Sequence, residues 1–259
     1  MDLDPAVALA GLLVGFTVGM TGMGGGALMT PIMILIFNVA PLAAVSSDLV
    51  VSLVMKPIGG GVHLRRGTVN KGLVGWLTLG SVPSAFAGVL LLRALGGDNV
   101  GALLKPLLGA VLLLAALSMV VKAELQRRRA RAGIVHAPIV VRPLRTVAIG
   151  AIGGLMVGLT SVGSGSLIIV MLLFAYPALR ASELVGTDLV QAIPLVGAAA
   201  LGHVLFGAVE LGLTLSLLIG ALPGVYTGAR VSAKAPDRIL RPTLFVVLLT
   251  SGLKLINVV

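Results

Sequence analysis

Two short stretches combine dense glycine with small hydroxyl residues: GMTGMGGGALMTP from Gly19 to Pro31, and GLTSVGSGSLIIV from Gly158 to Val170. Each would interrupt a helix, because glycine loses more conformational freedom on folding than any other residue. The interrupted backbone exposes N–H groups beside the hydroxyls of Thr21, Thr160, Ser161, Ser164 and Ser166. Such donors suit an anion. A second polar pattern follows each stretch. Asp48, Ser52, Lys56, Gly59 and His63 recur at helical spacing along one face, and Asp188, Gln191, Leu195, Ala199 and His203 form the corresponding face later in the chain. Carboxylate, ammonium and imidazole groups in that register can hold a charged ligand or pass a proton.

The elements that position these groups lie in a membrane. Hydrophobic residues make up 58% of the 259 and charged residues 11%, with a mean hydropathy of +1.12, too apolar for a water-soluble domain. Apolar runs occupy residues 5–38, 42–62, 72–92, 103–121, 144–176, 184–206, 211–229 and 242–257. Most have the length of about 20 residues that a spanning helix requires. The first and fifth are too long for one span, and each contains a glycine break. The expected fold is therefore an all-α polytopic protein of the plasma or inner membrane, with the lipid bilayer as its solvent. The opening MDLDPAVALAG lacks the basic region of a cleaved signal peptide and is expected to belong to the mature chain. Cysteine is absent, which excludes disulfides, thiolate metal sites and a cysteine nucleophile. The formal charge of +10 sits mainly between apolar runs, so the membrane accounts for it and no nucleic-acid partner is expected.

The chain repeats itself. A shift of 139 places Gly11, Gly15 and Gly19 on Gly150, Gly154 and Gly158, and Thr21, Gly24 and Gly26 on Thr160, Gly163 and Gly165. A shift of 140 places Asp48 on Asp188, His63 on His203, Gly67 on Gly207, Gly80 on Gly220, Pro83 on Pro223 and Gly88 on Gly228. Two copies of one unit follow, residues 1–122 and 144–259, joined by a basic cytoplasmic linker, 123–143. If each broken run is a re-entrant helix pair followed by three spans, the second copy is inverted. Fifteen Lys and Arg then face the cytoplasm and three, Arg93, Lys105 and Lys254, face outward. A parallel pair gives eleven against seven. The positive-inside rule favours inversion.

At bilayer depth an unpaired backbone N–H costs several kcal/mol, so buried protein or a ligand must satisfy each break. Inverted breaks would meet near the midplane, where secondary transporters bind substrate. The glycines spaced by four, Gly11, Gly15, Gly19 and Gly150, Gly154, Gly158, read as helix-packing faces. The candidate ligand set is Thr21, Gly22, Gly24, Gly25 and Gly26 with Thr160, Ser161, Gly163, Ser164, Gly165 and Ser166. Ser47 and Asp48 in VSSDLV, with Thr187, Asp188 and Gln191 in VGTDLVQ, either join that set or cap a helix start. Lys56 is the one basic residue placed inside a span, and the adjacent Pro57 argues for a cavity rather than snorkelling. Its counterpart is Val196, so its site is asymmetric. His63 and His203 either gate or relay protons, or simply hydrogen-bond near the two faces.

Taken together, GxGGG with a following proline, the Ser/Thr–Asp pair and HxxxGxV, repeated as TxxGxGS, GTD and HxxxGxV, resemble the TauE/SafE sulfite exporter family of small-anion permeases over residues 11–257. The resemblance implies transport of sulfite, thiosulfate, sulfonates or related organic anions. The second copy departs from it, with GSGS for GGG and Val170 for Pro31. The expectation is a secondary transporter for a small anion, with a channel as the alternative. An intramembrane enzyme is disfavoured by the lack of paired carboxylates, HExxH or a nucleophile elbow. No cofactor or metal is expected. H⁺ or Na⁺ are the candidate coupling ions, and the sequence sets neither the direction of transport nor an oligomeric state.

Overall fold

The computed structural model describes residues 3–21, 24–96, 100–131, 139–206, 209–231 and 237–257. Gly22, of the expected ligand set, and 132–138 of the basic linker lie outside the described residues. Ten α-helices make up the described chain: α1 Pro5–Thr21, α2 Met29–Leu35, α3 Pro41–Arg65, α4 Lys71–Gly96, α5 Val100–Arg131, α6 Pro143–Thr160, α7 Leu167–Ala175, α8 Ala181–Phe206, α9 Leu211–Val231 and α10 Asp237–Leu255. A single 3₁₀ turn, Gly25–Ala27, precedes α2. Among the described residues there is no strand, only an isolated bridge between Gly163 and Gly165.

Among the described residues, six helices are long and apolar enough to cross a bilayer: α3, α4, α5, α6, α8 and α9. This set differs from the three spans expected after each break. It includes α6, whose 18 residues suffice by length and hydropathy, and omits α10, whose apolar part is only Pro242–Leu255. α5 continues to Arg131, so the first part of the basic linker is helical. Proline stands inside α3, α4, α5, α8 and α9, as membrane helices allow when their neighbours satisfy the freed carbonyls.

Small residues determine which helices meet. A Cβ added to Gly11 or Gly15 of α1 would strike the backbone of Leu217 or Ala221 on α9, and one on Gly220, Gly224 or Gly228 would strike Ala8, Leu12 or Phe16. The numbers rise together, so α1 and α9 run parallel at backbone contact. α6 and α4 repeat the arrangement: Gly150, Gly154 and Gly158 meet Leu77, Ser81 and Ala85, while Gly80 and Gly88 meet Val147 and Leu155. Glycine on both sides of a seam permits this approach, where packing and not hydrophobicity drives association.

α3 and α8 run antiparallel. Gly186 of α8 lies against His63, Gly60 of α3 against Val190 and Ile193, and Gly197 against Leu53. α5 packs on α10 through Gly109 and Gly252. The main helix pairings are thus α1 with α9, α4 with α6, α3 with α8 and α5 with α10.

Candidate functional site

The two glycine-rich segments meet in the interior. After α1 the chain passes through an extended Gly24 (φ −64°, ψ 143°) into the 3₁₀ turn. After α6 it turns at Ser161, which adopts a left-handed conformation (φ 61°, ψ −5°), and then uses Gly163 at φ 146° and Gly165 at φ 86°. These last two values require glycine. A Cβ on Gly26 would collide with the carbonyl of Ser161, and one on Gly24 would sit 2.8 Å from the carbonyl oxygen of Ser164. Gly24, Gly26 and the second segment therefore touch backbone to backbone.

α3 and α8 supply polar groups to this junction. The hydroxyl of Ser161 hydrogen-bonds Asp48 Oδ2, and a Cβ on Gly25 would lie 3.4 Å from Asp48 Oδ1. Asp188 accepts a 2.6 Å hydrogen bond from the Gly165 N–H and a 3.2 Å bond from Gln191 Nε2, while Ser81 donates to Gln191 Oε1. Both carboxylates stand well inside helices that begin at Pro41 and Ala181, so the helix-start reading of VSSDLV and VGTDLV is corrected. The apolar turns upstream extend each helix, and Asp188 caps a glycine of the neighbouring broken segment instead.

Lys56 joins the two segments. Its Nζ donates a 2.7 Å hydrogen bond to Ser164 Oγ of the second, and lies 3.5 Å from a Cβ built on Gly24 of the first. The residue is 6% exposed. No carboxylate lies within 4.0 Å of it; the one ion pair among the described residues joins Arg128 to Glu124. A cavity of about 750 Å³ reaches it, walled at this inner end by Gly24, Gly25, Ser52, Met55 and Lys56. Towards the surface the wall passes His63, Arg66, Ser182, Tyr226 and Arg230, where the Arg230 guanidinium lies 4.3 Å from the Tyr226 ring centroid.

The expected ligand residues divide. Thr21, Gly24, Gly25, Lys56 and His63 line the cavity, and Gly19, expected on a packing face, lines it too. Ser164 reaches it through Lys56. Gly26, Asp48, Ser161, Gly165, Asp188 and Gln191 form the shell behind, as does Gly163, whose carbonyl accepts from the N–H of Ile168. Thr160 uses its hydroxyl on the Met156 carbonyl of its own helix, and Thr187 accepts from the Asn70 N–H that precedes α4, so both serve backbone groups. The hydroxyls of Ser47 and Ser166 are buried without a hydrogen-bond partner.

His203 is fully buried, with Nδ1 2.9 Å from Ser46 Oγ and Nε2 3.0 Å from the Gly158 carbonyl. The carbonyl can only accept, so Nε2 carries a proton and the ring ties α3 and α6 to α8. His63 binds the Thr68 hydroxyl through Nδ1, 2.8 Å away. Arg66 and Arg230 were not singled out as ligands. Residues so distant in sequence carry no local signal of a shared cavity.

Apolar spanning helices around a cavity that reaches a buried cation define a multi-pass membrane transporter. Comparison with known proteins supplies the lineage. Residues 7–255 match the family described as "Sulfite exporter TauE/SafE", and the chain belongs to that family. It is 38% identical over 256 residues to "Probable membrane transporter protein YjnA" of Bacillus subtilis (strain 168), covering 98% of this chain and 100% of that protein. It is 26% identical to "Probable membrane transporter protein YdhB" of the same organism, covering 96% and 99%. A third relative, "Probable membrane transporter protein YunE", is 37% identical over 83 residues, 32% of this chain and 28% of its own. No solved structure matches the chain.

Proposed function

We propose that the protein is a secondary transporter that moves a small oxyanion, such as sulfite, thiosulfate, a sulfonate or a small organic acid, by alternating access. One observation carries this reading: a buried lysine, out of ion-pair reach of any carboxylate, touches both broken segments at the inner end of a cavity. An anion there would meet the Lys56 ammonium, the Ser164 and Ser52 hydroxyls and the backbone of Gly24 and Gly25. Arg66 and Arg230 at the mouth raise the local concentration of anions.

The two copies, residues 1–122 and 144–259, act as an inverted pair in this reading, with the broken segments as re-entrant elements. The antiparallel run of α3 and α8, equivalent helices of the two copies, supports inversion. So does the cavity mouth, since Arg66, Ser182 and Arg230 belong to segments that the charge pattern assigns to the cytoplasm. The cavity is then inward-facing. Rocking one copy against the other would close it and open its counterpart on the far side.

Counterflow in liposomes tests the proposal. Vesicles carrying the purified protein and loaded with unlabelled sulfite, thiosulfate, methanesulfonate or acetate should transiently accumulate the labelled form of the accepted anion above its external level. Flux without overshoot or saturation would make the protein a channel. Absence of flux with every anion would remove the anion reading.

A further inference from the structure

We propose that Asp48 is a proton-binding group coupled to the anion: it takes up one proton from the cavity when an anion docks on Lys56 and gives it back when the anion leaves. The inference rests on the anion-transport reading above and assigns that site its coupling ion.

The two carboxylates at the junction are not equivalent. Asp188 has a donor on each oxygen, the Gly165 N–H and the Gln191 amide, and both Lys56 and Lys122 of α5 lie within its electrostatic reach. Asp48 is 0% exposed and has the Ser161 hydroxyl on Oδ2; Thr30 of α2 lies near enough to act on the carboxylate, yet its hydroxyl and Asp48 Oδ1 are both buried without a well-formed hydrogen bond. Buried polar atoms are nearly always satisfied, so an open carboxylate oxygen at a binding site needs an explanation. A proton that comes and goes supplies one.

Charge balance gives the proton its timing. Lys56 acts on both carboxylates and Lys122 on Asp188, so the two lysines and the two aspartates together are neutral when all four are ionised. An anion docked on Lys56 leaves this desolvated place with a net negative charge, which is unfavourable unless something cancels it. Protonation of Asp48 cancels it and breaks no other bond. The bulk supplies the proton through the cavity. Ser52, one turn from Asp48 on α3, lines that cavity, and its hydroxyl and Asp48 Oδ1 border the same point, 3.2 and 3.4 Å from a Cβ built on Gly25. A proton therefore has a short path from cavity water past Ser52 to Oδ1.

The surrounding groups do not offer a better carrier. α3 itself brings Lys56 and, at its end, His63, whose Nδ1 is engaged by Thr68. α8 brings Asp188 and His203, and both ring nitrogens of the histidine are occupied. α5 brings Lys122, and α9 brings Arg230 at the cavity mouth. The 3₁₀ turn, α2, the second broken segment and α7 bring no titratable side chain. Sodium would need a cage of oxygens, yet the methyl of Met55 borders the same Gly25 position at 3.1 Å.

The experiment is calorimetry of methanesulfonate and thiosulfate binding to the purified protein in buffers of different ionisation enthalpy, from mildly acid to mildly alkaline pH. Neither anion titrates there. The wild type should take up one proton per methanesulfonate bound over part of that range. Asp48→Asn should bind with no proton uptake and with an affinity that no longer varies with pH, whereas Asp188→Asn, if it binds, should keep the uptake. Anion-induced infrared difference spectra of the wild type should show a protonated carboxyl band appear, so the proposal remains testable if Asp48→Asn does not fold. Binding without proton uptake anywhere in the range, uptake that persists in Asp48→Asn, or binding that requires sodium would overturn the proposal while leaving the anion reading intact. Failure of both anions to bind would overturn both, and is seen before any proton is counted.

Discussion

Lys56 is the residue on which the proposed chemistry turns. Its ammonium donates a hydrogen bond to Ser164 and has no carboxylate within 4.0 Å, so its desolvation is poorly compensated until an anion arrives. Lys56→Met keeps the length and removes the charge. Anion affinity should fall by about 1–3 kcal/mol, the scale of a charge-assisted hydrogen bond, while thermal stability holds or rises slightly. Calorimetry beside thermal unfolding measures both, and unchanged affinity would make Lys56 a structural residue. At this scale the sequence was informative where chemistry is intrinsic. A lysine in an apolar run is conspicuous in any context. Asp48 and Asp188 were ambiguous, because Ser/Thr–Asp reads the same at a helix start as in a helix interior, and only the upstream turns of α3 and α8 separate the two. The bracing role of His203 depends on Ser46 and Gly158, which no local pattern connects to it.

Among the elements, the glycine seams carry the architecture. Gly15 packs so closely on Ala221 that a methyl group has no room, and the contact is backbone, which cannot swing aside. Gly15→Ala should therefore destabilise the protein by about 1–3 kcal/mol, as overpacking does, and should lower the unfolding temperature. Gly25 differs, since its neighbours are the ends of side chains, Met55 Cε and Ser52 Oγ. Gly25→Leu should insert and fold, but fill the inner end of the cavity and abolish binding of the transported anion. Normal binding by Gly25→Leu would mean that the anion sits elsewhere. Spacing by four identified one side of each seam, Gly11 and Gly15 or Gly150, Gly154 and Gly158. The pairing itself, α1 on α9 and α6 on α4, lay beyond sequence reasoning, because several apolar helices of similar length could equally present a partner face.

For the whole molecule, the charge pattern and the helix directions bear on one question, the orientation of the two copies. Residue 71 at the start of α4 should face the cytoplasm and residue 210 before α9 the exterior. The chain has no cysteine, so Lys71→Cys and Glu210→Cys can each be tested with an impermeant thiol reagent. Labelling of both from one side would eliminate the inverted arrangement. The spanning helices were readable because hydropathy is local to each segment; the cavity was not, since Arg66 and Arg230 meet only once α3 and α9 are assembled. The crossed seams also determine how the molecule is made. α1 leaves the ribosome well before α9, yet the surface that fits its glycine face belongs to α9, about two hundred residues later. Within the first copy alone, the close-packing faces of both α1 and α4 would wait in lipid for partners not yet synthesised. The final fold therefore closes late, and truncation after α5 would leave both glycine faces without the surfaces that fit them.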